Sequence, residues 1–175
     1  MHVLVAEDNA FNQKIFSRFL DRLGCTISFA SNGQEALNYL SAPPATHPRP
    51  DIILMDTAMP VMDGIQATNI LRTKAPFTTD QQITTTPIIA MTAHSYRPQL
   101  DGGWLRDGGF DDVLLKPPRP TKLRQMLLYW SRRRVVPRHG VLAVPTTGNV
   151  VPLPPAAAPW DSSPLRAFKG PRSLL

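Results

Sequence analysis

Four short apolar runs in this 175-residue chain each stop on a polar side chain. His2-Val3-Leu4-Val5-Ala6 runs into Glu7 and Asp8, and Ile52-Ile53-Leu54-Met55 runs into Asp56. Pro87-Ile88-Ile89-Ala90-Met91 runs into Thr92, and Val113-Leu114-Leu115 runs into Lys116. Runs this apolar, this short and separated by helical stretches are expected as strands of a parallel sheet covered on both faces. In an open α/β sheet, ligands bind beyond the carboxyl ends of the strands. The five polar side chains are therefore expected along one sheet edge, although the chain spreads them from position 7 to position 116.

Between these runs the apolar spacing is helical. After Asn9, a plausible helix cap, Phe11, Ile15, Phe16, Phe19, Leu20 and Leu23 recur at helical intervals, and Gly24 ends the helix. A second strand is expected over about 25–30, with a turn at Ser31-Asn32-Gly33 and a short helix from Gln34 to Leu40. The proline-rich stretch 41–50 reads as a surface loop. A third helix is expected over Ile65 to Thr73, and the Thr-rich segment 78–86 as a loop. A fourth helix within 95–107 is opposed by Pro98, Gly102 and Gly103, and a fifth starts near Thr121 with Leu123, Met126, Leu127 and Trp130 on one face. Five β-α alternations and right-handed crossovers favour a doubly wound sheet with helices on both faces.

The charge is unevenly placed. Residues 1–130 carry 12 Lys+Arg and 12 Asp+Glu, whereas residues 131–175 carry seven Lys+Arg and one acid, so the tail accounts for the whole net charge of +6. A globular part without excess charge argues against nucleic acid as its partner, since DNA-binding domains carry a basic folded face. Eight prolines in the last 45 residues and no sustained periodicity give the expectation of a disordered basic tail over 131–175, after a domain spanning 1–130. Arg132-Arg133-Arg134 is compatible with a nuclear address, although a charged helix end running into a solvated linker is the simpler reading. The chain opens on a strand with no leader-like run, and no apolar segment approaches the roughly 20 residues that span a bilayer, so a cytoplasmic protein with no membrane partner is expected. The single cysteine, Cys25, is expected as a small buried hydrophobe.

Two acids after the first strand and a third at the end of another would form an oxygen-rich pocket. Three clustered carboxylates cannot all ionise cheaply, so either one pKa rises or a cation enters. Oxygen donors with room for water suit Mg²⁺, which bridges carboxylate and phosphate. Lys116 adds a point charge suited to a phosphoryl oxygen and Thr92 a hydroxyl donor. The set is suited to holding a phosphoryl group on a carboxylate, with Asp56 the natural nucleophile. Singly, each residue is better explained as a solvated turn or a cap; their joint occurrence at four strand ends shifts the balance.

The strings Val3-Leu4-Val5-Ala6-Glu7-Asp8-Asn9, Met55-Asp56-Thr57-Ala58-Met59-Pro60-Val61-Met62-Asp63-Gly64, Ala90-Met91-Thr92-Ala93 and Leu115-Lys116-Pro117 resemble the receiver domain of two-component response regulators. The likeness is greatest to receivers attached to hybrid sensor histidine kinases, and it covers about residues 1–130. It implies a flavodoxin-like five-stranded parallel sheet of order 2-1-3-4-5 flanked by five helices. It also implies that Asp56 is the phosphoacceptor, with Glu7, Asp8, Asp56 and the backbone carbonyl of Ala58 holding Mg²⁺. Lys116, joined to Pro117 by a cis bond, would pair with the phosphoryl group, and Thr92 would swing towards it. The implied partner is a histidine kinase or histidine phosphotransfer protein, and the implied role is a switching phosphoacceptor rather than a turnover enzyme. The alternatives are the receiver portion of a hybrid kinase and a receiver-like scaffold that is not phosphorylated. A haloacid-dehalogenase-type phosphatase would carry Asp-x-Asp at the nucleophile, and this chain has Ala58 at the second position. Val113 stands where receivers often carry an aromatic residue, and Ala58 where many carry a polar one.

Overall fold

In the computed structural model, residues 1–93, 105 and 107–132 are described. Five strands, β1 (His2–Ala6), β2 (Thr26–Ala30), β3 (Ile52–Asp56), β4 (Ile88–Thr92) and β5 (Asp112–Leu115), form one sheet of order β2-β1-β3-β4-β5. All four pairings are parallel. The order implied by the family resemblance is the order observed. Asp56 and Thr92 are the last residues of β3 and β4, so both strands run one position beyond the apolar runs that announce them.

The helices are α1 (Ala10–Arg22), α2 (Gly33–Ser41), α3 (Gly64–Thr73), a short α4 (Gln81–Thr85) and α5 (Pro120–Ser131). Asn9, Asn32 and Asp63 cap the first three, each side chain accepting backbone N–H groups of the first turn that would otherwise lack partners. Leu23 closes α1, and Gly24 follows at φ 70°, a left-handed position that a side chain would oppose.

Alternation along each strand divides the core into two layers. Leu4, Ala6, Ile53 and Met55 face α2 and α3, whereas Val3, Val5, Ile52 and Leu54 face Phe16 and Leu20 of α1 and Leu123, Met126 and Leu127 of α5. β3 and β4 are buried along their full length, as sheet strands with helices on both sides must be. Each fully buried Leu or Ile contributes roughly 1.5–3 kcal/mol, so the two layers fix the strand register that aligns the strand ends.

Two expectations are corrected. The Thr-rich segment is not a loop throughout, because Phe77–Thr79 forms a 3₁₀ turn and Gln81–Thr85 forms α4. Asp80 caps α4 through the N–H groups of Gln82 and Ile83, while Phe77 and Ile83 bury their side chains in the core. Capping and burial together outweigh the low helix propensity of threonine. Cys25 is only half-buried, because it precedes β2 at an edge of the sheet and packs against the α1 layer from outside. Of the helix expected within 95–107, Leu105 and Asp107 are helical; its remaining residues and the tail from 133 onwards lie outside the described residues. Among the described residues, no helix is long and apolar enough to cross a membrane.

Candidate functional site

The carboxyl ends of the central strands gather the expected side chains. The Glu7 N–H donates to the Ala30 carbonyl at 2.9 Å, which extends the β1–β2 ladder past Ala6 and turns the Glu7 side chain into the protein. Glu7 is fully buried, an expensive position for a carboxylate unless it is partnered. Its partners come from the first turn of α1: Asn12 Nδ2 donates to Oε1 at 2.8 Å and the Asn9 N–H to the same oxygen at 3.3 Å. Gln13 Nε2 holds the Glu7 carbonyl at 2.6 Å. The other oxygen, Oε2, pairs with Lys116 Nζ at 2.6 Å.

Asp56, 4% exposed, shares that lysine. Lys116 Nζ lies 2.5 Å from Asp56 Oδ2, and the Ala58 N–H donates to Asp56 Oδ1 at 3.1 Å. Burial pushes the Asp56 carboxyl above the usual carboxylate range, against the pull of the Lys116 ammonium and the Ala58 amide. Burial acts to lower the pKa of Lys116, but its contacts with Asp56 and Glu7 outweigh burial and hold the ammonium above its ordinary value. Lys116 enters from the end of β5, its N–H bonded to the Thr92 carbonyl at 2.8 Å and its bond to Pro117 cis, as the resemblance implies. Thr92 is buried at the end of β4, beside the strand that carries Asp56.

Glu7, Asp8 and Asp56 each present a carboxylate oxygen such that all three lie within 4.8 Å of one another, with Asp8 exposed and the other two buried. Counted formally, three carboxylates and one ammonium give the cluster a charge of −2. The donors are all oxygen, and the two buried carboxylates, Glu7 and Asp56, share a single ammonium. That set fits a hard divalent cation.

The loop after β3 is strained. Met62 N–H donates to the Pro60 carbonyl at 2.8 Å across Val61, a γ-turn that places a β-branched residue at φ 69° with 85% of its surface exposed. At the end of this loop Gly64 presses against the Asp56 backbone; a Cβ there would lie 2.0 Å from the Asp56 carbonyl oxygen. Only glycine allows α3 to start this close to Asp56.

The structure thus brings Glu7, Asp8, Asp56 and Lys116 into one cluster, with Thr92 and Ala58 adjoining it in the chain and in the sheet. Val113 is buried in the core opposite Ala90. Tyr96 and Trp104, the candidates to stand in for the aromatic residue absent at Val113, and His94, the candidate to act with Ala58 on phosphoryl lifetime, lie outside the described residues. Asn12 and Gln13, which hold Glu7, are not singled out by the sequence reading. Their only signal is a pair of amides in the helical turn directly after the acidic pair.

Comparison with known proteins agrees with this arrangement. The hybrid signal transduction protein dokA of Dictyostelium discoideum is 39% identical over 131 residues, which is 75% of this chain and 7% of the relative. Transcription factor SKN7 of Saccharomyces cerevisiae is 35% identical over 134 residues, 77% of this chain and 19% of the relative. The chain therefore spans less than a fifth of either protein. Among solved structures, the receiver domain of sensor histidine kinase PA1611 from Pseudomonas aeruginosa superimposes with a TM-score of 0.60 at 31% identity, covering 75% of this chain and 98% of that one. That crystal structure has a magnesium ion coordinated in the active site cleft. The family model for the response regulator receiver domain matches residues 3–128. This chain belongs to the receiver domain family of two-component systems and is related to the receivers of hybrid histidine kinases.

Proposed function

We propose that this chain is the phosphoacceptor of a two-component phosphorelay and takes a phosphoryl group from a phosphohistidine onto Asp56. The observation that carries the reading is the shared lysine, which contacts two buried carboxylates at 2.5 and 2.6 Å beside a third acid. An ammonium placed between Glu7 and Asp56 is already in position for the oxygens of a group arriving on Asp56. In the transfer, an Asp56 carboxylate oxygen forms the new P–O bond as the P–N bond to the donor imidazole breaks, and the leaving imidazole keeps the bonding electron pair.

Glu7, Asp8, Asp56 and the carbonyl of Ala58 would hold Mg²⁺, which supplies charge neutralisation at the phosphoryl oxygens. Lys116 pairs with the arriving group and Thr92 donates its hydroxyl to it. Asp56 is held in place by the Ala58 amide and by the packing of Gly64. The phosphoryl adds about −1.5 to −2 charge, which resets a local balance that one ammonium cannot offset and biases the loops around Thr92 between two arrangements. The donor is a histidine kinase or histidine phosphotransfer protein, and the role is that of a cytoplasmic switch rather than a turnover enzyme. Residues 1–130 form the receiver and 131–175 an appended basic, proline-rich segment. The relatives favour a second setting for the same chemistry, in which this receiver belongs to a hybrid histidine kinase.

The test is intact mass after incubation with acetyl phosphate and Mg²⁺, alongside Asp56→Ala and a chelator. A single phosphoryl adduct that needs both Asp56 and the metal is the expected result. Absence of an adduct in the folded wild-type chain would favour a receiver-like scaffold that is not phosphorylated.

A further inference from the structure

We propose that Asn12 is a positioning residue for the metal site: its amide pins one oxygen of Glu7 and so presents the other to the cleft. The inference rests on the receiver reading above and concerns a residue outside the acidic cluster itself. A buried carboxylate on a rotatable side chain has two equivalent oxygens, and the surroundings decide which one faces a ligand. Here Asn12 Nδ2 takes Oε1 at 2.8 Å, helped by the Asn9 N–H at 3.3 Å. Oε2 is left to Lys116 Nζ at 2.6 Å, in a cluster where Glu7, Asp8 and Asp56 each bring a carboxylate oxygen within 4.8 Å of the others. Asn12 and Gln13 are consecutive on α1 and divide the work, since Gln13 grips the Glu7 main chain at 2.6 Å while Asn12 grips its side chain. A well-formed helix capped by Asn9 gives both amides fixed positions.

The chemistry of the amide matters as much as its place. A buried carboxylate oxygen needs a donor, and an Arg or Lys would supply one together with a positive charge. Asn12 satisfies the oxygen and adds none, so the cluster keeps its formal −2, which matches one divalent cation. Groups that orient a metal ligand from behind typically change metal affinity by about 10–100-fold when removed.

The test titrates Mg²⁺ alone into the full unphosphorylated chain and follows the amide resonances of Thr57 and Ala58. Asn12→Ala should weaken Mg²⁺ binding by about tenfold. Its metal-free melting temperature should stay within a few degrees of wild type, because position 12 is half-buried on a helix and alanine favours helix. Asn12→Lys keeps a donor but removes one unit of negative charge from the site, and should weaken Mg²⁺ binding at least as much. Binding within twofold of wild type in Asn12→Ala overturns the proposal; should that variant not fold, the same outcome in Asn12→Lys overturns it. If wild type binds Mg²⁺ and Asp56→Ala does not, while both Asn12 variants match wild type, the receiver reading stands and only this inference fails. If the wild-type chain binds no Mg²⁺ at millimolar concentration, both fall together.

Discussion

Replacing Arg72 with alanine should strongly destabilise the domain, although the residue lies away from the acidic cluster. Arg72 lies on α3 with its side chain 10% exposed, and Asp111, 2% exposed, faces it at 2.7 Å. The Asp111 carboxylate also accepts the Ile88 N–H at 2.8 Å, at the start of β4. The guanidinium further donates to the carbonyls of Gly109, Ile83, Thr84 and Thr86 at 3.1–3.4 Å. Two of those carbonyls lie in α4 and the third, of Thr86, directly follows it, so the guanidinium satisfies acceptors that a helix end leaves open. Removing one partner of a buried ion pair costs about 3–5 kcal/mol, because the other charge is stranded. Against a total stability of about 5–15 kcal/mol, that is a large share. With a urea m-value near 2 kcal/mol/M, the midpoint should fall by about 2 M. The assay is urea unfolding of wild type, Arg72→Ala, Asp111→Ala and the double variant. The cycle should return a coupling above about 1.5 kcal/mol, and the double variant should be less destabilised than the sum of the singles. A cost below about 1 kcal/mol for Arg72→Ala would show that the pair is solvated in solution and refute the reasoning.

Three further outcomes follow from single atoms. Gly64→Ala would set a Cβ 2.0 Å from the Asp56 carbonyl oxygen and 2.8 Å from Met55 Cγ, so it should cost at least about 2 kcal/mol in urea unfolding and abolish the Asp56 adduct in the mass assay. Thr68 is fully buried on α3 and its Oγ1 has no hydrogen-bond partner among the described residues, so Thr68→Val should be neutral or stabilising by up to about 1 kcal/mol; a clear loss in thermal unfolding would point to a partner for that hydroxyl. His2 is held below its ordinary pKa of 6.5 by burial, with Asp51 opposing. The unfolded chain therefore binds the proton more readily, and stability attributable to His2 is present above pH 6.5 and lost as pH falls from there through the lowered folded value. Comparing urea midpoints at neutral and mildly acid pH should show this slope reduced in His2→Phe.

How much of this was legible depends on the range of the contacts. β1, β3 and β4 were readable because they are buried on both faces, so their composition alone carries the signal, and Glu7, Asp8, Asp56 and Thr92 were readable because they stand at the ends of those runs. Sheet order is different in kind: apolar runs do not say which strand pairs with which, and 2-1-3-4-5 came from the motif resemblance, not from periodicity. α4 escaped because five residues, two of them threonines, offer no helical pattern until Asp80 caps them and Ile83 finds the core. The Arg72 clamp reaches carbonyls 11 to 37 positions away and the Asp111 carboxylate 39 positions away, and main-chain acceptors are encoded by no side-chain pattern.

The hold of Asn12 on Glu7 falls between these cases. It spans five positions, yet the chain changes from strand to helix between them, so neither a period of two nor one of 3.6 links the pair. Sequence periodicity finds residues that share an element with a repeating face. A site at a strand end is instead completed by whatever the next helix turns back towards it, and those residues become visible only when the corner is built. The acids at positions 7, 8 and 56 therefore announce the chemistry, while the geometry that makes one Glu7 oxygen available is set by a neutral amide that announces nothing.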